Sequence, residues 1–139
     1  MRRALCGAGI AAVAMLAWGA GSREVRAAGD DEASKPEFYK TRVQPIFASN
    51  CYRCHGGMNH RGGLSLATRA GVMKGGKDGV VIVPGNPAAS LLVKLIRHEG
   101  PAKDPGPMPP KSKLSDADIA TVERWIRAGA VMPADVLPQ

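Results

Sequence analysis

Cys51-Tyr52-Arg53-Cys54-His55 constrains this chain of 139 residues more than any other feature. Two cysteines three positions apart, with a histidine directly after the second, bring three reactive groups to one place if the segment turns as the start of a helix. The third cysteine, Cys6, stands far away near the N-terminus. A disulfide between Cys51 and Cys54 would close only a tiny loop and so constrain the unfolded chain little. The pair therefore needs an explanation other than a structural crosslink.

Residues 1–27 read as a secretory signal. Arg2 and Arg3 form its positive end, Ala4 to Ala20 its apolar run, and Val25-Arg26-Ala27 its cleavage site, with cleavage expected after Ala27. An uncleaved membrane anchor is the alternative, against which the run is short and glycine-rich for a bilayer span. The residues around Arg2-Arg3 match twin-arginine export poorly, so Sec-type export is expected. Cys6 precedes its apolar run, which argues against a lipoprotein cysteine. Cleavage would remove Cys6 and leave Cys51 and Cys54 as the mature pair, in an exported, periplasmic protein. Residues 28–35 are expected to be a disordered lead-in, 36–132 the folded domain and 133–139 a C-terminal tail.

The full chain has a formal charge of +7, and loss of Arg2, Arg3, Arg23, Arg26 and Glu24 with the signal leaves +4. Basic stripes alternating with aromatics are missing, which speaks against nucleic acid as a partner. A mild positive charge suits docking to a redox partner protein with an acidic surface. Membrane association is expected only if the signal remains uncleaved. Aromatic residues make up 4% of the chain. A domain of this length needs a substantial core, and a large planar apolar cofactor would supply the missing bulk.

The segmental pattern is helical. Ser34-Lys35-Pro36-Glu37 has the form of a capping box, opening a first helix with Phe38, Ile46 and Phe47 on its apolar side and Pro45 as a kink or restart. A short extended piece is expected at Leu64-Ser65-Leu66, then about two helical turns to Met73, and a minimal strand over Val80 to Val83. Asn86-Pro87 is expected to start a second helix whose buried stripe is Leu91, Leu92, Leu95 and Ile96 and which Gly100 closes. Pro101 to Pro110 forms a proline-rich loop holding Met108. The last helix is capped by Ser115, carries Ile119, Val122, Trp125 and Ile126 at helical spacing, and stops at Gly129.

C-x-x-C-H is the attachment signature of a c-type haem. On the first turn of a helix the two sulfurs face the two vinyl groups along one haem edge, and His55 is aimed beneath the ring, where a neutral imidazole binds iron. Covalent attachment retains the cofactor outside the cell. A thioredoxin-like pair also uses C-x-x-C but expects a preceding strand, and a zinc site of Cys51, Cys54, His55 and His60 would require adjacent Cys54 and His55 to bind one tetrahedral ion. For the sixth iron position Met108 is expected, because the prolines of Gly106-Pro107-Met108-Pro109-Pro110 hold the loop at low entropic cost. His98 and the absence of any protein ligand are the alternatives. Met73 remains open, whereas Met58 and His60 follow the motif too closely and Met132 lies past the last helix. A thioether opposite an imidazole raises the reduction potential and closes the iron to small molecules. No hydrolase-like grouping or phosphate loop is visible, so the expected role is not enzymatic.

The chain resembles class I cytochromes c, specifically the planctomycete-type cytochrome c domain. The resemblance lies in Val43-Gln44-Pro45-Ile46-Phe47 before Cys51-Tyr52-Arg53-Cys54-His55-Gly56, in Gly62-Gly63-Leu64-Ser65-Leu66, and in Gly75-Gly76. It continues in Val83-Pro84-Gly85-Asn86-Pro87 with Ser90-Leu91-Leu92, in Met108-Pro109-Pro110, in Leu114-Ser115, and in Trp125-Ile126-Arg127-Ala128-Gly129-Ala130. It implies an all-α, class I cytochrome c-like fold with long loops around one covalent haem c. In that fold the first and last helices cross near the haem edge, Cys51 and Cys54 carry thioether bonds, and His55 and Met108 are the axial ligands. The leading expectation is a one-electron carrier cycling between Fe(II) and Fe(III). A haem-based ligand-binding or sensing domain, or a detached haem subunit of a larger oxidoreductase, are the alternatives.

Overall fold

The computed structural model describes residues 28–134, and every regular element among them is helical. The expected signal, 1–27, and the tail beyond residue 134 lie outside the described residues. α7, Asp116–Arg127, follows its sequence signals closely. The Ser115 hydroxyl accepts the Asp118 N–H at 3.1 Å and donates to the Asp118 carboxylate at 2.7 Å. That satisfies one of the otherwise orphaned donors of the first turn. Ile119, Val122, Trp125 and Ile126 form the buried face of α7.

Trp125 sets the packing of the N-terminal half. Its ring lies 5.4 Å from that of Tyr39 and meets Phe47 edge-on at 5.9 Å. Its indole N–H donates to the Val131 carbonyl at 2.8 Å. Tyr39 belongs to a wide π-helical turn, Tyr39–Val43, which follows the short α2, Pro36–Phe38, and runs into α3, Gln44–Asn50. Pro45 explains the wide turn: it has no N–H to donate and its ring crowds the carbonyl four residues back. The helix therefore restarts at α3 without breaking.

Several expectations are corrected. Residues 28–35, expected to be disordered, contain α1, Ala28–Ala33. Ala33 is fully buried, and Glu32 pairs at 2.9 Å with Arg124 of α7, whose guanidinium also lies over the Phe38 ring. Tertiary contact supplies what local polarity withholds. The capping box does not form, because the Ser34 hydroxyl turns back to the Asp31 carbonyl at the end of α1 and Lys35 takes the cap position of α2. Met132 is a buried core residue that follows α7.

Leu64 is extended, as expected, but its segment pairs with no strand, and Val80 to Val83 is not a strand. Each finds a helix or loop as its partner. The Leu66 N–H donates to the His55 carbonyl, and the Val81 carbonyl accepts from Leu92. Short helices follow the C-x-x-C-H turn and the glycine loops: α5, Arg69–Lys74, capped by Thr68, and α6, Leu91–Ile96. α6 begins one turn later than Asn86-Pro87 suggests and ends at Arg97, before Gly100. Asn86 caps a separate turn through Ala89. Ser90 is fully buried, accepting the Val83 N–H at 2.9 Å and donating to the Asn86 carbonyl at 2.9 Å. Arg97 then joins α6 to α7 through Glu123 at 2.6 Å.

Ser90 gives a first stability prediction. Replacement by alanine removes the acceptor of the part-buried Val83 N–H, which costs about 0.5–1.5 kcal/mol. Urea unfolding of the Ser90→Ala protein is expected to show that loss, and Ser90→Thr a smaller one.

Candidate functional site

The cysteine pair is built on the end of α3. Phe47, clamped by Trp125, offers its carbonyl to the Cys51 N–H at 2.7 Å. The Cys51 carbonyl then accepts from both Cys54, at 3.0 Å, and His55, at 2.8 Å. This single turn opens α4, Tyr52–His55, and puts both sulfurs and the imidazole on one short element. Tyr52, between the cysteines, is tied to the core by its hydroxyl, 3.1 Å from that of Tyr39. Gly56 closes the turn; a Cβ there would lie 2.3 Å from the Tyr52 carbonyl oxygen, so no larger residue fits without movement.

Cys51, Cys54 and His55 line a cavity of about 570 Å³. Such a volume lies inside the roughly 300–1,000 Å³ range of cofactor sites. One wall is Leu64 and Leu66; another is the α6 stripe of Leu91, Leu92, Leu95 and Ile96, joined by Val81. The sequence marks that stripe as buried but gives no sign that it faces a cavity. Pro105 to Pro110 forms a further wall and brings Met108 to the same cavity. The Met108 N–H donates to the Leu95 carbonyl at 3.0 Å, which fixes the loop to the end of α6.

Burial, with a smaller contribution from neighbouring Cys54, pushes the Cys51 thiol up to about 11. A dithiol oxidoreductase needs the opposite, a thiol stabilised as thiolate. Burial also lowers the pKa of His55, which keeps the ring neutral and able to donate a lone pair. Backbone groups of Leu64 and Arg61 oppose that shift and the Arg61 charge reinforces it. Buried His55 Nδ1 has no hydrogen-bond partner of acceptable geometry. Two cysteines unbonded to each other, a neutral imidazole and a thioether around an apolar cavity form a donor set that fits an iron porphyrin.

The other sixth-ligand candidates do not line this cavity. Met58 is 98% exposed and Met73 is 37% exposed. His60 and His98 are exposed as well, and Met132 is packed in the core. Among the described residues no three His, Cys, Asp or Glu side chains converge as a metal site, so the zinc set of Cys51, Cys54, His55 and His60 is not assembled. At the polar edge of the cavity stand Arg61, Lys77, Asp78 and Asp104. Sequence reasoning passed over Lys77 and Asp104, which form an ion pair across 27 positions of the chain. No local periodicity signals such a contact.

An all-α fold that brings a C-x-x-C-H turn and a loop methionine to one apolar cavity is consistent with a cytochrome c-like domain. Residues 51–112 match the family model described as Planctomycete cytochrome C. That match supports a planctomycete-type cytochrome c domain over the segment, a family whose cofactor is covalently bound haem c and whose chemistry is haem-based electron transfer. No curated protein and no solved structure matches the chain.

Proposed function

We propose that this chain is an exported monohaem cytochrome that passes one electron at a time, with Cys51 and Cys54 bonded to the haem and His55 and Met108 as its axial ligands. The observation that carries this reading is the presence of Met108 in the cavity that the C-x-x-C-H turn lines. When bound, such a haem supplies an Fe(II)/Fe(III) couple whose potential a thioether ligand raises.

The residues divide the work. Cys51 and Cys54 retain the cofactor. Neutral His55 offers a nitrogen lone pair, and the leucines of α6 with Leu64 and Leu66 keep water from the site. Prolines 105, 107, 109 and 110 limit the movement of Met108, so its thioether need not be reordered at each electron transfer. Partners are redox proteins with acidic docking surfaces, in keeping with the +4 charge left after removal of residues 1–27. Export rests on the Arg2-Arg3 and apolar pattern of that segment. Among the described residues no helix is long and apolar enough to cross a membrane.

The test is production alongside the haem-attachment machinery in a secreting host. The expected product begins near Ala28, carries the mass of one haem, and shows a pyridine-haemochrome spectrum of covalent haem. An unmodified mass overturns the proposal. Met108→Ala is expected to lower the reduction potential by on the order of 0.1 V or more, within the roughly 0.8 V that axial ligands command. It should also open the iron to added imidazole. An unchanged potential and ferric spectrum would instead favour a haem lacking methionine ligation, and with it a ligand-sensing role.

A further inference from the structure

Met108 lies on a segment held at both ends. At its C-terminal end the Met108 N–H is bonded to the Leu95 carbonyl of α6. Four residues earlier the Asp104 carboxylate pairs with the Lys77 ammonium. Between them Pro105 and Pro107 fix their own φ angles and leave Gly106 as the one freely turning residue, so Asp104 and Met108 are joined by a short, partly restrained segment.

Lys77 is itself well fixed. Its N–H donates to the Gly62 carbonyl at 2.7 Å, and Asp78 lies 4.0 Å from its ammonium. It follows Gly76, where a Cβ would meet the Gly62 carbonyl oxygen at 2.7 Å, so the two glycine loops are in close contact. The first of these loops follows the C-x-x-C-H turn and the second follows α5. Lys77 and Asp104 both line the cavity that holds His55 and Met108. The ion pair thus joins the loops on the His55 side to the loop that bears the methionine.

We propose that Lys77 and Asp104 form a latch that positions the Met108 thioether against the iron. The proposal rests on the haem reading of this cavity with Met108 as sixth ligand. Both side chains act through Met108 and are positioning residues. Their ion pair is solvent-facing, with Lys77 49% and Asp104 75% exposed. A pair of this kind makes a small contribution that salt screens.

Added imidazole must displace the thioether, so its apparent affinity reports the fraction of protein in which Met108 is released. In haem-loaded ferric protein at low ionic strength, Asp104→Asn and Lys77→Gln are each expected to tighten imidazole binding about two- to fivefold, the range open to an exposed ion pair. The double variant should bind no more tightly than either single variant, because both remove the same contact. Lys77→Arg keeps the charge and should behave as the wild type. Rising salt should tighten imidazole binding to the wild type and leave the Asp104→Asn protein nearly unchanged. Single variants equal to wild type, additive effects in the double variant, or a shared salt response overturn the latch.

The wild type separates this failure from that of the underlying reading. If it lacks bound haem, or lacks the thioether-to-iron charge-transfer band of the ferric protein, the site assignment falls and takes the latch with it. If it shows both while the variants are indifferent, only the latch falls. Both substituted side chains are solvent-facing, and far-UV circular dichroism should show native helix content throughout.

Discussion

With Cys51 and Cys54 both replaced by alanine, protein made alongside the haem-attachment machinery is expected to emerge without any covalent adduct and to lose its haemochrome spectrum entirely. A single replacement should leave one thioether and a shifted spectrum at reduced yield. The effect is all-or-none because the two thiols are the mature chain's whole supply of sulfur nucleophiles if residues 1–27 are removed. It should also reach the fold. The leucines of α6 and the Met108 loop both line a cavity of about 570 Å³. Native-state hydrogen exchange of the double variant should show α6 and the 101–110 loop losing protection first. The Trp125 cluster, packed without lining that cavity, should retain more. Equal loss of protection in both regions would contradict this division, and a retained mass increase would refute the attachment site itself.

Trp125→Ala is expected to cost about 3–5 kcal/mol, as for other large aromatic truncations in a packed core. Trp125 is fully buried, touches Tyr39 and Phe47, and donates its indole N–H to Val131. A domain of this size has only about 5–15 kcal/mol to lose, so the midpoint of thermal unfolding should fall by roughly 15 °C or more. The loss should reach the site as well. Phe47 packs against the indole and supplies the carbonyl that receives the Cys51 N–H, so a cavity at residue 125 loosens the end of α3 that carries the turn. Trp125→Phe keeps most of the packing but abandons the Val131 carbonyl, and should cost less. Calorimetry on the haem-loaded proteins decides the order, and equal stability of the alanine variant and wild type would exclude Trp125 as the organiser of this half of the domain.

Much of the site was legible because its signals are local. The C-x-x-C-H spacing needs only one helical turn to bring its groups together, and the Cys51 carbonyl accepting from both Cys54 and His55 is that turn. Ser115 and the apolar period of α7 likewise act within a few residues. The proline frame around Met108 pointed to a restrained methionine, and the loop does line the cavity. The errors share an opposite cause. Ser34 lost its cap role to α1, Val80 to Val83 found a helix instead of a strand, and Ser90 became a buried junction in place of an Asn86-capped helix start.

What the sequence determined by itself was structure of short range: the C-x-x-C-H turn, the all-α class of the fold, and the last helix with both of its ends. Tertiary structure alone decided which apolar stripe walls the cavity, that α1 exists, and that Lys77 meets Asp104. The reason is physical. Caps, helical turns and proline restraints depend on neighbours within about four positions, whereas burial and ion pairing between distant segments depend on where the whole chain places them.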